Sequence, residues 1–231
     1  LFFHYPFPLW FLAYFLFSPR KNLYIWYHSD IVRQKFFEFF LRPIHLFVLK
    51  RAQKIFISNP NLISSSNYLN KFKEKCVVIP FGIDIKKFEL TEEIKKELLK
   101  IKDTFGSPLI LSVGRLVYYK GFKYLIEAAQ NVEAKFLIIG NGPLELELKS
   151  LIKKLKLENK VFIIPSVKNL VPYYYACDIF VLPSIFKSET FGIVLLEAMA
   201  CGKPVISTDL GTGTSWVNID KETGFVVEPK N

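Results

Sequence analysis

Two carboxylates, Glu189 and Glu197, lie around the start of one short predicted helix in residues 182–208, LPSIFKSETFGIVLLEAMACGKPVIST. The pattern predicts a helix over 192–200, which a following glycine and proline end. Glu189 therefore lies in the loop at the helix N-terminus, and Glu197 lies inside the helix. A helix N-terminus attracts anions, so Glu189 is either a helix cap or a group that awaits a ligand. The spacing alone is equally consistent with a capped helix carrying one buried or solvated glutamate.

Two cations, Arg115 and Lys120, occupy a second loop, GRLVYYKG, directly after the apolar stretch 109–113. Arginine offers phosphate oxygens a bidentate fork and lysine offers a point charge, so together they suit a diphosphate. A third loop at 140–143, GNGP, allows a close backbone approach. Gly-x-Gly alone is more often a tight turn, and the third glycine of the dinucleotide fingerprint is missing. This argues against an NAD or FAD oxidoreductase.

These loops follow continuous apolar strands that alternate with helical stretches. That alternation predicts an α/β fold with a doubly wound parallel sheet covered on both faces. Ligands of such a sheet bind at the carboxyl ends of its strands, where the three loops lie. The predicted strands cover residues 22–27, 54–58, 76–79, 109–113, 136–139, 161–164, 179–182, 205–207 and 225–227.

The first 17 residues, LFFHYPFPLWFLAYFLF, are strongly apolar. The run is too short and too interrupted for a membrane span, and it lacks the features of a signal peptide. We interpret it as the tail of a buried strand, a turn through the two prolines and a helix over 9–17. Asp30 is the expected N-cap of a helix over 31–41, which Pro43 breaks or kinks before a second helical piece to Arg51.

Composition bounds the class of protein. The 231 residues, 51% of them apolar, could build one large or two small domains. Three cysteines, Cys76, Cys177 and Cys201, lack metal-site spacing and predict reduced, buried thiols in a cytosolic protein. The chain does not begin with Met and ends without a capping element, so we expect a fragment.

The net charge of +10 is uneven, since residues 1–58 carry +6, and 11 of the 23 phenylalanines lie in the first 50 residues. Such a surface could dock on anionic lipid, bind nucleic acid or be a solvated face over an aromatic core. We favour an anionic membrane surface bound through residues 31–54, because no nucleic-acid module signature is present. The basic and aromatic residues concerned are Arg33, Lys35, Phe36, Phe37, Phe39, Phe40, Arg42, Lys50 and Arg51.

Residues 188–206, SETFGIVLLEAMACGKPVI, resemble the Glu-x7-Glu donor-site signature of retaining glycosyltransferases of family 4, also called glycosyl transferases group 1. Residues 211–218, GTGTSWVN, resemble a subgroup that builds bacterial surface polysaccharides. The resemblance covers nearly the whole chain and implies a GT-B fold, two Rossmann-like domains facing a cleft. Residues 1–84 would be the C-terminal part of a truncated acceptor domain. Residues 85–231 would form the donor domain without its last elements.

The resemblance also implies roles for single residues. A histidine in the segment WYHSDIVRQ, His28, would reach the donor sugar from across the cleft, whereas His4 is interpreted as an ordinary residue near the acceptor. Glu189 would contact the donor sugar, and Glu197 would bind the ribose hydroxyls. The remaining donor-binding residues would be Gly114, Arg115, Lys120, Gly140, Phe191, Gly192 and Ile193, of which Arg115 and Lys120 neutralise the diphosphate.

The expected function is transfer of a hexosyl group, with retention, from GDP-mannose or a UDP-hexose to a saccharide or lipid-linked acceptor in surface polysaccharide or lipopolysaccharide synthesis. No cofactor or metal is expected, since no Asp-x-Asp site is evident. The expected location is cytoplasmic, with peripheral binding to the inner face of the cell membrane. The alternatives are a truncated, non-catalytic module that binds a nucleotide sugar or a membrane, and another GT-B enzyme such as a sugar-nucleotide epimerase. A nucleic-acid binder rests on charge alone.

Overall fold

Two parallel β-sheets, one in each half of the chain, organise the fold. A computed structural model describes residues 1–17, 21–31 and 35–231, without the side chains of residues 8 and 35–38. The predicted α/β class is confirmed. The first sheet has the order β1-β2-β3-β4, with strands β1 (Phe2–Tyr5), β2 (Tyr24–Tyr27), β3 (Lys54–Ile57) and β4 (Cys76–Val78).

Three helices accompany this sheet: α1 (Pro8–Phe17), α2 (Lys35–Arg51) and α3 (Asn61–Ser65). The inward residues of the strands and helices form one core, in which Tyr5, Tyr27 and Ile55 are fully buried. Their neighbours along the strands point to the opposite face, because side chains alternate in a strand. None of the described helices combines the length and apolarity that a membrane span requires.

The structure corrects two expectations for this half. The first strand is not a buried one: among the described strands β1 pairs with β2 alone, and Phe2 is 51% exposed. The prediction that Pro43 breaks or kinks the helix is wrong as to the break, since α2 continues to Arg51 and packs along α1, and the kink stays a prediction. Proline removes one backbone hydrogen bond, and the packing of α2 offsets that loss. The predicted N-cap of this helix cannot be compared, because residues 32–34 lie outside the described part of the chain.

The second sheet has six parallel strands in the order β10-β9-β8-β5-β6-β7. The order reverses between β5 and β8, which are adjacent in the sheet although β6 and β7 lie between them in the chain. This is the topological switch point of a doubly wound sheet. The strands are β5 (Leu109–Val113), β6 (Lys135–Ile139), β7 (Val161–Ile164), β8 (Ile179–Leu182), β9 (Val205–Thr208) and β10 (Gly224–Val227).

The helices of this half are α4 (Glu92–Phe105), α5 (Phe122–Ala128), α6 (Glu145–Lys154), α7 (Val171–Ala176), α8 (Ile193–Ala200) and α9 (Thr214–Val217). Local signals set their ends. The Thr91 hydroxyl accepts a hydrogen bond from the Ile94 N–H (3.3 Å) at the start of α4, and Gly106, with φ of 82°, ends it. Gly192, also with φ of 82°, precedes α8, a conformation that favours glycine.

The segment between β4 and α4 connects the two halves, and the predicted domain boundary after residue 84 falls there; its position stays a prediction. Cys177 and Cys201 are buried as predicted, and burial raises their pKa to about 12 and about 11. Cys76 is only partly buried, contrary to expectation, because β4 is the edge strand of its sheet.

Candidate active site

The loops after β5 and β8 meet at the switch point of the second sheet, and an ion pair joins them. Lys120 Nζ lies 2.5 Å from Glu189 Oε2, and the two side chains are only 12% and 11% exposed. Ser184 Oγ donates a second hydrogen bond to the same carboxylate oxygen (3.0 Å). Glu189 is therefore not a cap of α8, the helix that follows it; its carboxylate is engaged by two donors from inside the site.

The backbone around this ion pair is equally constrained. The Thr212 hydroxyl donates to the main-chain carbonyl of Glu189 (2.7 Å), which fixes the loop that carries the carboxylate. The Lys120 side chain lies along Gly114, where an added Cβ would be 3.2 Å from Lys120 Cε. An added Cβ at Gly140 would be only 1.9 Å from the Gly114 carbonyl oxygen. The two glycines thus let the chain turns after β5 and β6 pack against each other and against the lysine.

Arg115, the second cation of this region, is exposed and lines a cavity of about 510 Å³ together with Ser188 and Tyr118. Within the described part of the chain Arg115 forms no salt bridge, in contrast to Lys120. An exposed guanidinium without a carboxylate partner can offer its fork of N–H donors to a ligand oxyanion. Arg115 is therefore the cation that lines this cavity, whereas Lys120 is paired with Glu189.

Glu197 lies inside α8, away from this ion pair, and accepts a hydrogen bond from the hydroxyl of Tyr174 (2.6 Å). Tyr174 is fully buried on α7, and burial, followed by the charge of Glu197, raises its pKa far above the ordinary value. The hydroxyl therefore stays a donor throughout the neutral range. Sequence reasoning missed this residue. The available signal was the run of three tyrosines at 173–175, which must place one ring on the buried face of a helix, where its hydroxyl needs a partner.

His28 follows β2 in the first sheet, and among the described residues no hydrogen bond joins it to Glu189. Its Nε2 lies 2.8 Å from Nδ1 of His4, a residue that sequence reasoning treated as ordinary. Burial and then the neighbouring His4 lower the pKa of His28, which favours the neutral ring. A series of ring contacts leads from this imidazole towards the loop before α8: Trp26 lies 6.2 Å from His28 and 5.8 Å from Phe81, centroid to centroid.

Contacts between the two halves converge on the loops around α8 and α9. Phe81 meets Phe191 edge to face at 5.2 Å. The Asn59 side-chain amide donates to the Thr190 carbonyl (3.1 Å), and that of Asn61 donates to the Thr212 carbonyl (2.9 Å). The predicted residues Phe191, Gly192 and Ile193 thus lie where the first half touches the second.

A second cavity, of about 530 Å³, lies between the halves, and its lining combines hydroxyl, amide and charged side chains with apolar ones such as Leu62, Ile185 and Phe186. Asp30 lines both cavities. Its Oδ1 accepts from the Tyr27 hydroxyl and from Ser66 Oγ (2.6 Å), and its Oδ2 accepts from the Asn67 N–H (2.8 Å). Sequence reasoning assigned Asp30 to a helix cap. It could not identify these partners, because two of the three lie more than 30 residues away in the chain.

The described residues contain no group of three or more histidine, cysteine, aspartate or glutamate side chains that could hold a metal ion. The site is thus built from cations, carboxylates and helix backbone. Whether each predicted donor-site residue contacts a donor stays a prediction, although the structure brings Gly114, Lys120, Gly140 and Glu189 into one cluster.

A doubly wound sheet with this cluster at its switch point, next to a second parallel sheet across a cleft, defines an α/β protein of the GT-B type. Solved structures share the fold. Anabaena Alr3699/HepE in complex with UDP-glucose superposes with a TM-score of 0.78 at 22% identity, over 99% of this chain and 65% of that one. A glycosyltransferase from Rickettsia africae superposes with a TM-score of 0.76 at 25% identity, over 100% and 63%.

Sequence comparison gives the family. Residues 91–231 match the family described as "Glycosyl transferases group 1". The chain is 34% identical over 233 residues to O-antigen chain mannosyltransferase C of Escherichia coli, covering 99% of this chain and 61% of that protein. It is 36% identical over 228 residues to D-rhamnosyltransferase WbpZ of Pseudomonas aeruginosa, covering 98% and 59%. The chain belongs to the glycosyl transferases group 1 family, and it spans about three fifths of the length of these two relatives.

Proposed function

We propose that this protein transfers a hexosyl group from a nucleotide-diphosphate sugar to a saccharide or lipid-linked saccharide acceptor in surface polysaccharide synthesis. One observation carries the proposal: the buried Lys120–Glu189 pair lies beside the exposed Arg115 at the switch point of the second sheet. Cations at that position suit the diphosphate of a donor, and a carboxylate suits the hydroxyls of its sugar. The relatives named for O-antigen mannosyl transfer and rhamnosyl transfer support this substrate class.

The donor diphosphate would lie in the cavity of about 510 Å³ that Arg115 lines. The guanidinium would bind the phosphate oxygens first, because it has no carboxylate partner among the described residues. The N-terminus of α8, with the backbone of Phe191, Gly192 and Ile193, would add its N–H groups. Glu197, oriented by Tyr174, would accept from the ribose hydroxyls. GDP-mannose and UDP-hexoses remain the candidate donors, and a structural neighbour that binds UDP-glucose is consistent with the latter.

Catalysis would follow from an exchange of partners at the ion pair. As the bond from the sugar to the diphosphate breaks, negative charge grows on the leaving phosphate, and Lys120 would turn from Glu189 to that phosphate. Glu189 would then be free to accept a hydrogen bond from a sugar hydroxyl. Two cations and a helix N-terminus supply the charge stabilisation, so the reaction as proposed needs no divalent ion. Retention at the anomeric carbon, with attack on the face that the nucleotide leaves, is part of the proposal.

The acceptor would occupy the neighbouring cavity of about 530 Å³ between the two halves. Its mixed lining of hydroxyl, charged and apolar side chains suits a saccharide, and the exposed ring of Phe186 offers an apolar face for a sugar to lie on. Asp30 borders both cavities, so an acceptor hydroxyl next to Asp30 would also be near the donor. This places donor and acceptor on opposite sides of the loop that contains Phe186 and Ser188.

For the acceptor to be lipid-linked, the protein would bind the inner face of the cell membrane, from the cytoplasm, through residues 31–54. Phe39 and Phe40 on α2 are 74% and 62% exposed, and Arg42, Lys50 and Arg51 lie on the same helix; Arg33 and the side chains of residues 35–38 lie outside the description. Exposed aromatic rings beside cations suit anionic lipid. Sedimentation with phosphatidylglycerol vesicles at low salt tests this. The double variant Phe39→Ser/Phe40→Ser should pellet less, whereas Leu146→Ser, at a residue 83% exposed on α6, should pellet like the wild type.

Calorimetric titration with UDP-hexoses and GDP-mannose, with and without Mg²⁺, tests the function itself. We expect one donor to bind and Arg115→Ala to lose that binding. Lys123→Ala is the matched control, because Lys123 is an exposed cation on α5 whose only ion pair in the described chain is with Glu127. Binding that survives in Arg115→Ala, or no binding by any donor, would contradict the proposal. Release of free nucleotide without a glycoside product would instead favour another GT-B reaction.

A further inference from the structure

The strongest unexplained feature is the pair of imidazoles at the ends of β1 and β2. His4 lies in β1 opposite Trp26 in the register of the sheet, and His28 follows β2. The ring centroids are 5.1 Å apart, the planes are inclined by only 12°, and His4 Nδ1 lies 2.8 Å from His28 Nε2. A ring nitrogen lies little more than an ångström from its centroid, so these values require two nearly coplanar rings placed edge to edge. The hydrogen bond therefore lies close to the plane of both rings.

A hydrogen bond between two imidazole nitrogens requires a proton on one nitrogen and a lone pair on the other. When both rings are neutral, one proton lies between His4 Nδ1 and His28 Nε2. If His4 donates that proton, the remaining proton of His28 is on its Nδ1, which is then a donor. If His4 accepts, Nδ1 of His28 is an acceptor. In either arrangement His4 determines which form of Nδ1 the His28 ring can offer to a ligand.

We propose that His4 is a positioning residue that holds His28 in a single orientation and a single tautomer. The inference rests on the proposed function to the extent that His28 faces the donor sugar. The order of contacts supports that placement, because the series of rings from His28 through Trp26 and Phe81 ends on Phe191, next to the start of α8. A ring held in one tautomer always offers the same donor or acceptor to a ligand hydroxyl. No fraction of the protein is then in the tautomer that cannot form this hydrogen bond.

Among the described groups around the two histidines, His4 is the main electrostatic neighbour of His28. Among the described contacts, Phe2 packs on His4 and Trp26 packs on His28, and neither ring is titratable. Asp30, two residues beyond His28, is bonded to Tyr27, Ser66 and Asn67. Burial and His4 both lower the pKa of His28. Removing His4 should therefore raise that pKa part of the way to its ordinary value, while the contribution of burial remains.

The test is long-range ¹H–¹⁵N NMR of the imidazoles in the full chain, which has three histidines in all. His4→Phe removes the hydrogen bond and keeps a ring for Phe2 to pack on. His4→Asn is the matched variant, because its amide can replace Nδ1 as donor or acceptor. We expect His28 to show one neutral tautomer in the wild type and in His4→Asn, and a mixture of tautomers with a raised pKa in His4→Phe. His45, which is buried on α2, is the internal control in every spectrum.

The same variants are then compared in sugar transfer. We expect kcat to fall about tenfold in His4→Phe with the KM for the donor little changed, the acid limb of the pH profile to move to higher pH, and His4→Asn to restore both. An unchanged tautomer and titration of His28 in His4→Phe would overturn the proposal, as would equal kcat in the two variants. The NMR readout requires no donor, so failure of the proposed function would leave it intact and the two failures can be told apart.

Discussion

Lys120 and Glu189, 69 residues apart in the chain, form a buried ion pair at the switch point of the second sheet, with 2.5 Å between Nζ and Oε2. Each is a residue that a nucleotide-sugar donor would engage. The two buried charges neutralise each other in this structure, and in the proposed function a ligand would separate them, which has consequences for stability and for turnover.

Lys120→Met should reduce both the stability and the turnover of the protein, for different reasons. Removing one partner leaves the Glu189 carboxylate buried and unpaired, which should lower the free energy of unfolding by about 3 kcal/mol. Loss of the cation near the leaving phosphate should lower kcat by about 10²-fold or more. The double variant Lys120→Met/Glu189→Gln should recover much of the stability but none of the turnover. Denaturant unfolding and initial rates measure the two effects, and a fully active single variant would contradict the assignment.

Gly114→Ala should impair turnover by moving Lys120. The added Cβ would lie 3.2 Å from Lys120 Cε, so the flexible lysine must shift while the backbone stays in place. We expect kcat to fall about tenfold, the size of effect that a small misplacement of a catalytic group produces, with little change in unfolding. Gly82→Ala is the control, because nothing lies within 4 Å of its added Cβ. Equal rates in the two variants would show that the lysine needs no such support.

Tyr174→Phe should weaken donor binding through Glu197. The ring stays packed, but the carboxylate loses a charge-assisted hydrogen bond of 2.6 Å, worth about 1.5–3 kcal/mol, and its orientation. We expect the Kd for the donor to rise about tenfold in calorimetry. Tyr175→Phe is the matched variant, since that hydroxyl donates to the Phe88 carbonyl instead (2.7 Å). It should change stability alone, and an equal loss of affinity in both variants would contradict a specific role for Tyr174.

Stability should fall in mild acid, in part because of His28. The folded-state pKa of His28 lies below its ordinary value, so the unfolded chain binds the proton more readily. This residue's contribution is complete above the unfolded pKa of about 6.5 and is lost as the pH falls from there through the lower, folded value. Denaturant unfolding between pH 8 and pH 5 measures the slope. His28→Gln should flatten it, whereas an unchanged slope would show that other groups carry the acid dependence.

The strands of the second sheet could be predicted closely from the sequence. Parallel strands buried on both faces are continuous apolar runs, so 109–113 and 161–164 agree with β5 and β7 to the residue. The loops after these strands could be predicted for the same reason. The continuation of α2 through Pro43 could not, because proline is a local signal against a helix, whereas the packing on α1 that sustains α2 is tertiary.

Pairings between side chains that are distant in the chain could not be predicted from the sequence. Glu189 and Lys120 were each recognised as candidate ligand groups, but nothing in their spacing indicates that they bond to each other. The same holds for His4 and His28, 24 residues apart, and for Tyr174 and Glu197, 23 residues apart. In each case the two side chains meet because the sheets bring their segments together. Residue type therefore predicts the chemistry, whereas the identity of the partner depends on the fold.

The bonds from Asn59 and Asn61 end on main-chain carbonyls, those of Thr190 and Thr212. A carbonyl oxygen is present whichever side chain its residue carries. The contact with Asn59 therefore does not depend on which side chain occupies position 190, whereas replacing either asparagine removes a contact. Position 212 is more constrained, because the Thr212 hydroxyl also donates to the Glu189 carbonyl. The side chain at position 190 can thus diverge while the two halves keep the same fit, provided that Asn59 and Asn61 are retained.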